Sequence, residues 1–178
     1  MTKAEKYKAY LEEVKQFVSS DRIYTDDLHC LAWGTDAGFY REIPKIVIRS
    51  KNEEEVSKLM KLSSKYELPV TFRAAGTSLS GQAITNSILI VAGKNWEDYE
   101  VLEGGKKIVL QPGIIGSRVT EILKPYGRIF SPDPASKNSA MVGGIVMNNA
   151  SGMNCGTHAN SDRVLVSARI VLADGTVL

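Results

Sequence analysis

Residues 44–92 alternate apolar runs with one amphipathic stretch, and nothing else in the chain restricts its fold as strongly. The run PKIVIR at 44–49 reads as a buried strand. Asn52, with Glu55 three residues on, marks a helix N-terminus, and Val56, Leu59, Met60 and Ser63 carry a helical repeat through Tyr66. Pro69 opens a second apolar run at 68–72, and ILIVA at 88–92 is a third. Strand, helix, strand, loop, strand is the order of an α/β unit, whose strands normally pair in parallel. A ligand on such a sheet is expected beyond the carboxyl ends of the strands, where RAAGTSLSGQ at 73–82 lies.

That loop combines Gly76 and Gly81 with Thr77, Ser78 and Ser80. Small residues leave the backbone accessible, and successive N–H groups in such a loop can hold an anion by their summed partial positive charge. A phosphate cradle is one reading, and a Gly/Ser-rich surface connection is the other. Gly76 and Gly81 have the spacing of a GxxxxGK[ST] triphosphate loop, but Gln82-Ala83 stands where Lys-Ser/Thr is required. The G-x-G-x-x-G dinucleotide pattern is absent as well. A pyrophosphate remains possible, held by neither of these motifs.

The rest of the chain is read more briefly. Residues 3–20 place Tyr7, Tyr10, Leu11, Val14, Phe17 and Val18 on one helical face. Residues 21–40 are polar and irregular. His29-Cys30 with nearby carboxylates suggests a metal, but adjacent ligands chelate poorly together and no set of four is completed. YEVLE and KIVLQ around Gly104-Gly105 form a hairpin, and Pro112-Gly113 ends it. A helix is expected over 114–126, capped by Gly127, and a short packed helix or a flat ligand wall within AMVGGIVMNNASG at 140–152. Residues 163–173 alternate as a strand, and Asp174-Gly175 turns it into a hairpin. With 178 residues and 43% hydrophobic composition the chain can bury a real core. A net charge of +2, spread through the sequence, excludes a nucleic-acid footprint, and no apolar run is long enough for a membrane span. Cys30 and Cys155 are expected as free thiols in a reducing cytoplasm.

Four ordered segments carry a family resemblance over residues 43–178: RAAGTSLSGQ, QPG, SPDPASKNSAMVGGIVMNNASG and DRVLVSARIVLADGT. The chain resembles the N-terminal part of the PCMH-type (vanillyl-alcohol-oxidase) FAD-binding domain, nearest to FAD-linked D-lactate and glycolate dehydrogenases. The resemblance implies an α+β fold of two subdomains with FAD between them. A small parallel sheet with helices comes first (43–96, after a lead-in at 1–42), then an antiparallel sheet with helices (97–178), incomplete at its end. It implies that the loop at Ala75, Gly76, Thr77, Ser78 and Leu79 binds the FAD pyrophosphate, with Ser80, Gly81 and Gln82 toward the flavin. Pro132, Asp133, Ala135, Ser136, Gly143, Gly144, Asn148, Ala150, Ser151 and Gly152 would line the rest of the cofactor. The implied chemistry is hydride transfer from a small 2-hydroxy acid to flavin N5, followed by reoxidation through an unidentified electron acceptor.

Two departures qualify this. The loop has no histidine, so non-covalent FAD is expected. It also carries Ala74-Ala75 where relatives usually have glycine, which binding tolerates if both alanines keep negative φ. The family's catalytic acid and base and its substrate cap lie beyond residue 178, so no catalytic residue is named and the fragment alone is expected to be inactive. The full-length protein is expected in the cytoplasm, with a peripheral position at the inner face of the membrane as the variant. Alternatives are a synthase or a sugar or alcohol oxidase of the same fold, or a non-catalytic module docking through Tyr7, Leu11, Val14 and Val18.

Overall fold

The computed structural model describes residues 1–156 and 158–178. Two compact units are present, one comprising Met1–Arg73, Ser78–Ala92 and Arg169–Leu178, the other Ala74–Thr77 and Gly93–Ala168.

In the first unit, β1 (Ile23–Tyr24), β2 (Ile46–Arg49), β3 (Val70–Arg73) and β4 (Ile88–Val91) form one sheet in the order β1-β2-β4-β3. β2 and β3 both run parallel to the central β4, and β1 closes the far edge antiparallel. Side chains alternate across a pleated strand, and the sequence supplies apolar residues for both faces. Ile46, Ile48, Ile88 and Ile90 pack with Tyr10, Val14, Val18 and Leu59 on one side, where α1 (Lys3–Val14) and α3 (Glu53–Tyr66) lie. Val47, Leu89 and Val91 point the other way onto Cys30 of α2 (Asp27–Ala32). All four residues of β4 are buried, as expected of a strand covered on both faces.

α3 starts at the predicted cap, with Asn52 Oδ1 accepting from Glu55 N at 2.9 Å. α1 stops earlier than the apolar periodicity suggests. The amides of Phe17 and Val18 both turn back to Val14 O, which folds Val18 onto the core after a shortened helix. Residues 21–40, read as irregular, contain β1 and α2, too short to register as periodicity. α2 is capped by Asp26, whose side chain accepts from His29 N. Tyr10 is fully buried in this core and its hydroxyl has no partner among the described residues, which desolvation reflects by raising its pKa. Removing a buried, unpaired hydroxyl while keeping the ring should be neutral or stabilising by about 1 kcal/mol. Tyr10→Phe is therefore expected to match or exceed the parent's urea midpoint, and a clear drop would mean that the hydroxyl is paired.

The second unit has an antiparallel hairpin of β5 (Tyr99–Leu102) and β6 (Lys107–Leu110), with Val101 opposite Ile108. α4 (Gly116–Leu123) continues as a 3-10 turn, and Gly127 ends it at φ 65°, the left-handed value that favours glycine. With α5 (Val142–Met147), these elements enclose a core of Ile114, Val119, Leu123 and Val142. The expected strand at 163–173 is not formed. Ser161 Oγ donates to the Ile145 and Ala150 carbonyls, and Asp162 N to Asn149 Oδ1, which pins Ser161–Val164 as a helical turn, α6. Beyond it Leu165 and Val166 stay exposed with no neighbouring strand among the described residues. Alternation becomes a strand only where an edge is available to pair with it. The Asp174-Gly175 hairpin, which belongs to the first unit, does form: Ile170 and Leu178 exchange backbone bonds of 3.0 Å, and the tip bonds α3 of the same unit through Ser57 and Ser64.

Candidate cofactor site

The 73–82 loop leaves the carboxyl end of β3, where parallel pairing with β4 ends in an Ala92 N to Arg73 O bond of 2.8 Å. Gly76 and Gly81 sit at φ 73° and 72°, so both glycines are required by the backbone path. Positive φ outside glycine occurs at Glu67, Glu103 and Asn149 among the described residues, so Ala74 and Ala75 meet the condition for tolerance. The amides of residues 74–79 donate to no acceptor among the described residues. Ser80 N, by contrast, donates to Ser78 Oγ at 3.1 Å, and that hydroxyl donates to Gln82 Oε1 at 2.9 Å. Main-chain donors are seldom left unpaired unless water or a ligand takes them. Six consecutive free amides and no acidic side chain in the loop fit a diphosphate.

Sequence reasoning missed the support behind this loop. Ala37 N donates to Ser78 O at 3.1 Å, and a Cβ on Gly38 would lie 2.8 Å from Leu79 O. This backing segment lies in the stretch read as polar and irregular, whose one chemical signal was the weak metal candidate at His29-Cys30. His29 Nδ1 instead bonds the Asp26 carboxylate at 2.9 Å and stacks on Tyr24, and no group of three potential ligands exists among the described residues.

In the second unit one of the predicted wall residues, Gly152, lies directly against another, Asp133. A Cβ on Gly152 would fall 1.7 Å from Asp133 O, so this close passage of two chain segments needs glycine at 152. Lys137 Nζ and Asn154 Nδ2 bond the two Asp133 oxygens at 2.8 and 2.6 Å, holding its carboxyl below the usual range. Pro132 is buried, and Gly143 N donates to Pro112 O at 2.9 Å, seating the start of α5 on the QPG turn. Asn148 Nδ2 is turned back to Gly144 O, whereas Ala135 and Ser151 are exposed and Gly144 faces open space. Lys137 and Asn154 escaped sequence reading, although Lys137 stands only four residues beyond Asp133.

Residues 44–178 match the family described as FAD binding domain. The chain belongs to this FAD-binding family. The FAD domain is 26% identical to the D-2-hydroxyglutarate dehydrogenase of Haemophilus influenzae, over 94% of this chain and 18% of that protein. It is 28% identical to the glycolate oxidase subunit GlcD of Escherichia coli K12, over 78% of this chain and 28% of that protein. The chain thus spans less than a third of the length of these relatives. A solved alkyldihydroxyacetonephosphate synthase has the same fold, with a TM-score of 0.82 at 19% identity, covering 96% of this chain and 34% of the synthase. The α+β fold is that of PCMH-type flavoproteins, and FAD is the cofactor of the domain. The FAD domain has no helix among its described residues long and apolar enough to cross a membrane. Cys30 and Cys155 are free and buried.

Proposed function

We propose that the full-length protein is a flavin-dependent oxidoreductase acting on a small 2-hydroxy acid of the D-lactate or glycolate type. The observation that carries the cofactor half is the run of amides at 74–79 that donate to no acceptor among the described residues, with Gly76 inside the run and Gly81 just beyond it at positive φ. The substrate half is supported by relatives named for 2-hydroxyglutarate and glycolate. In this reading Ala75–Leu79 hold the diphosphate, Ser80–Gln82 lie toward the flavin, and Pro132, Asp133, Gly143, Gly144 and Gly152 contribute a wall. Bound non-covalently, the flavin supplies a hydride acceptor at N5. The protein's own share is to fix the diphosphate by backbone donors and to keep the wall flat by glycine. Against the interaction-module alternative, Val14 and Val18 of its face are buried in the chain's own core and Tyr7 and Leu11 are partly buried against it.

The decisive experiment is anaerobic bleaching of the full-length protein's flavin absorbance by D-lactate, glycolate and D-2-hydroxyglutarate. Bleaching by one of them is expected, with all flavin released to the supernatant on denaturation. Response only to sugars or phenolic alcohols would transfer the protein to the oxidase alternative, and no flavin after reconstitution would end the proposal. Gly76→Val should raise the Kd for FAD about 10- to 100-fold, equivalent to losing one or two charge-assisted bonds of about 1.5 kcal/mol each. An unchanged Kd by flavin-fluorescence titration would remove the loop from the site.

A further inference from the structure

Arg73 is the last residue of β3 and stands outside the residues assigned to FAD. Its side chain does not extend into solvent as a surface arginine would. Nη1 donates to Thr35 O at 2.6 Å and to Ala83 O at 3.4 Å, so one guanidinium nitrogen joins the segment behind the loop to the residue just past its far end. The guanidinium carbon lies 5.2 Å from the Trp33 ring centre. The backing segment then continues to the loop itself through Ala37 N to Ser78 O and the close passage of Gly38 under Leu79 O. Asp36 shapes that passage by accepting from Gly38 N at 2.8 Å.

Two polar atoms here are buried without partners among the described residues: Arg73 Nε, a donor, and Asp36 Oδ2, an acceptor. Burial lowers the Arg73 pKa, and the Asp36 charge opposes that shift. A half-buried cation and its counter-charge are thus kept close to the loop with no direct ion pair between them among the described residues.

We infer that Arg73 is the positioning residue of the FAD loop, closing it from residue 73 to residue 83 and pressing it onto the Trp33–Asp36–Gly38 strap. This rests on the reading of the loop as the diphosphate cradle. It requires the flat guanidinium of arginine, because the same group must lie against the Trp33 indole while its Nη1 reaches two carbonyls. Lysine has the charge and lacks that geometry.

The test is FAD and riboflavin binding to full-length apoprotein carrying Arg73→Lys, with the thermal midpoint recorded alongside. The Kd for FAD is expected to rise tenfold or more while that for riboflavin, which has no diphosphate, stays within twofold. A general weakening of the fold would raise both together. Gly38→Ala, which keeps Arg73 and pushes on Leu79 O, should reproduce the selective loss and stands in if Arg73→Lys does not fold. An unchanged FAD Kd, or an equal rise for both ligands, overturns the inference. If Gly76→Val loses FAD and the Arg73 and Gly38 variants do not, this inference alone fails. If Gly76→Val also keeps FAD, the cradle reading fails with it.

Discussion

Gly152→Ala is expected to cost about 3 kcal/mol, at the upper end of what overpacking usually costs. An alanine Cβ would sit 1.7 Å from Asp133 O and 2.5 Å from its carbonyl carbon, against a floor of 3.0 Å for real contacts. The obstacle is backbone, so no rotamer change relieves it. The two passages of chain must separate, and the Asn154 and Lys137 bonds to Asp133 are strained with them. At 178 residues, 3 kcal/mol corresponds to a fall in thermal midpoint of roughly 6–12 °C. Gly144→Ala is the control, because nothing lies within 4 Å of its Cβ and it sits in α5. There alanine should stabilise the apoprotein by about 0.5 kcal/mol while weakening FAD binding if the wall reading holds. Equal midpoints for the Gly152 variant and the parent would mean that the close passage is not present in solution.

The second large effect is in the first unit. Arg22 and Glu55 form a two-pronged ion pair, with both N–H···O distances at 2.7 Å and side chains 13% and 10% exposed. Glu55 also accepts from Lys51 N at 2.8 Å, so its carboxylate ties the turn before β1 to the start of α3. Removing one partner of a buried pair leaves the other charge uncompensated, at a cost of about 3–5 kcal/mol. Arg22 Nη1 retains the Arg49 carbonyl, which places Glu55→Ala near the lower end of that range. Urea unfolding should show it as a lower midpoint with an unchanged slope. The double variant Arg22→Met/Glu55→Leu should recover most of the loss, because two apolar chains remove both desolvation costs. Failure to recover would mean that the pair contributes more than its charges cost to bury.

Some of this was legible in the chain without coordinates. The parallel β2-β4-β3 core follows from three apolar runs and one amphipathic helix, because burying both faces of a strand demands such runs. Gly76, Gly81 and Gly127 were readable as turns because only glycine adopts positive φ cheaply. The short elements were not legible. β1 has two residues and α2 has six, below the length at which a period can be counted. The strand expected at 163–173 failed for the opposite reason, since its alternation was real but Ser161 and Asp162 were tied to the end of α5 instead.

The candidate site divides along the same line. The residue types in RAAGTSLSGQ made an anion cradle legible by themselves, because they are local requirements of backbone path and size, whereas FAD came from the family resemblance of that loop together with 132–152. Only the tertiary structure decided what stands behind them. It set Thr35, Asp36 and Gly38 under the loop, brought Gly152 onto Asp133, and turned Arg73 inward across the loop. Those contacts join residues far apart in sequence, where no periodicity or spacing records them. They depend on how the chain returns to itself, which packing determines and composition does not.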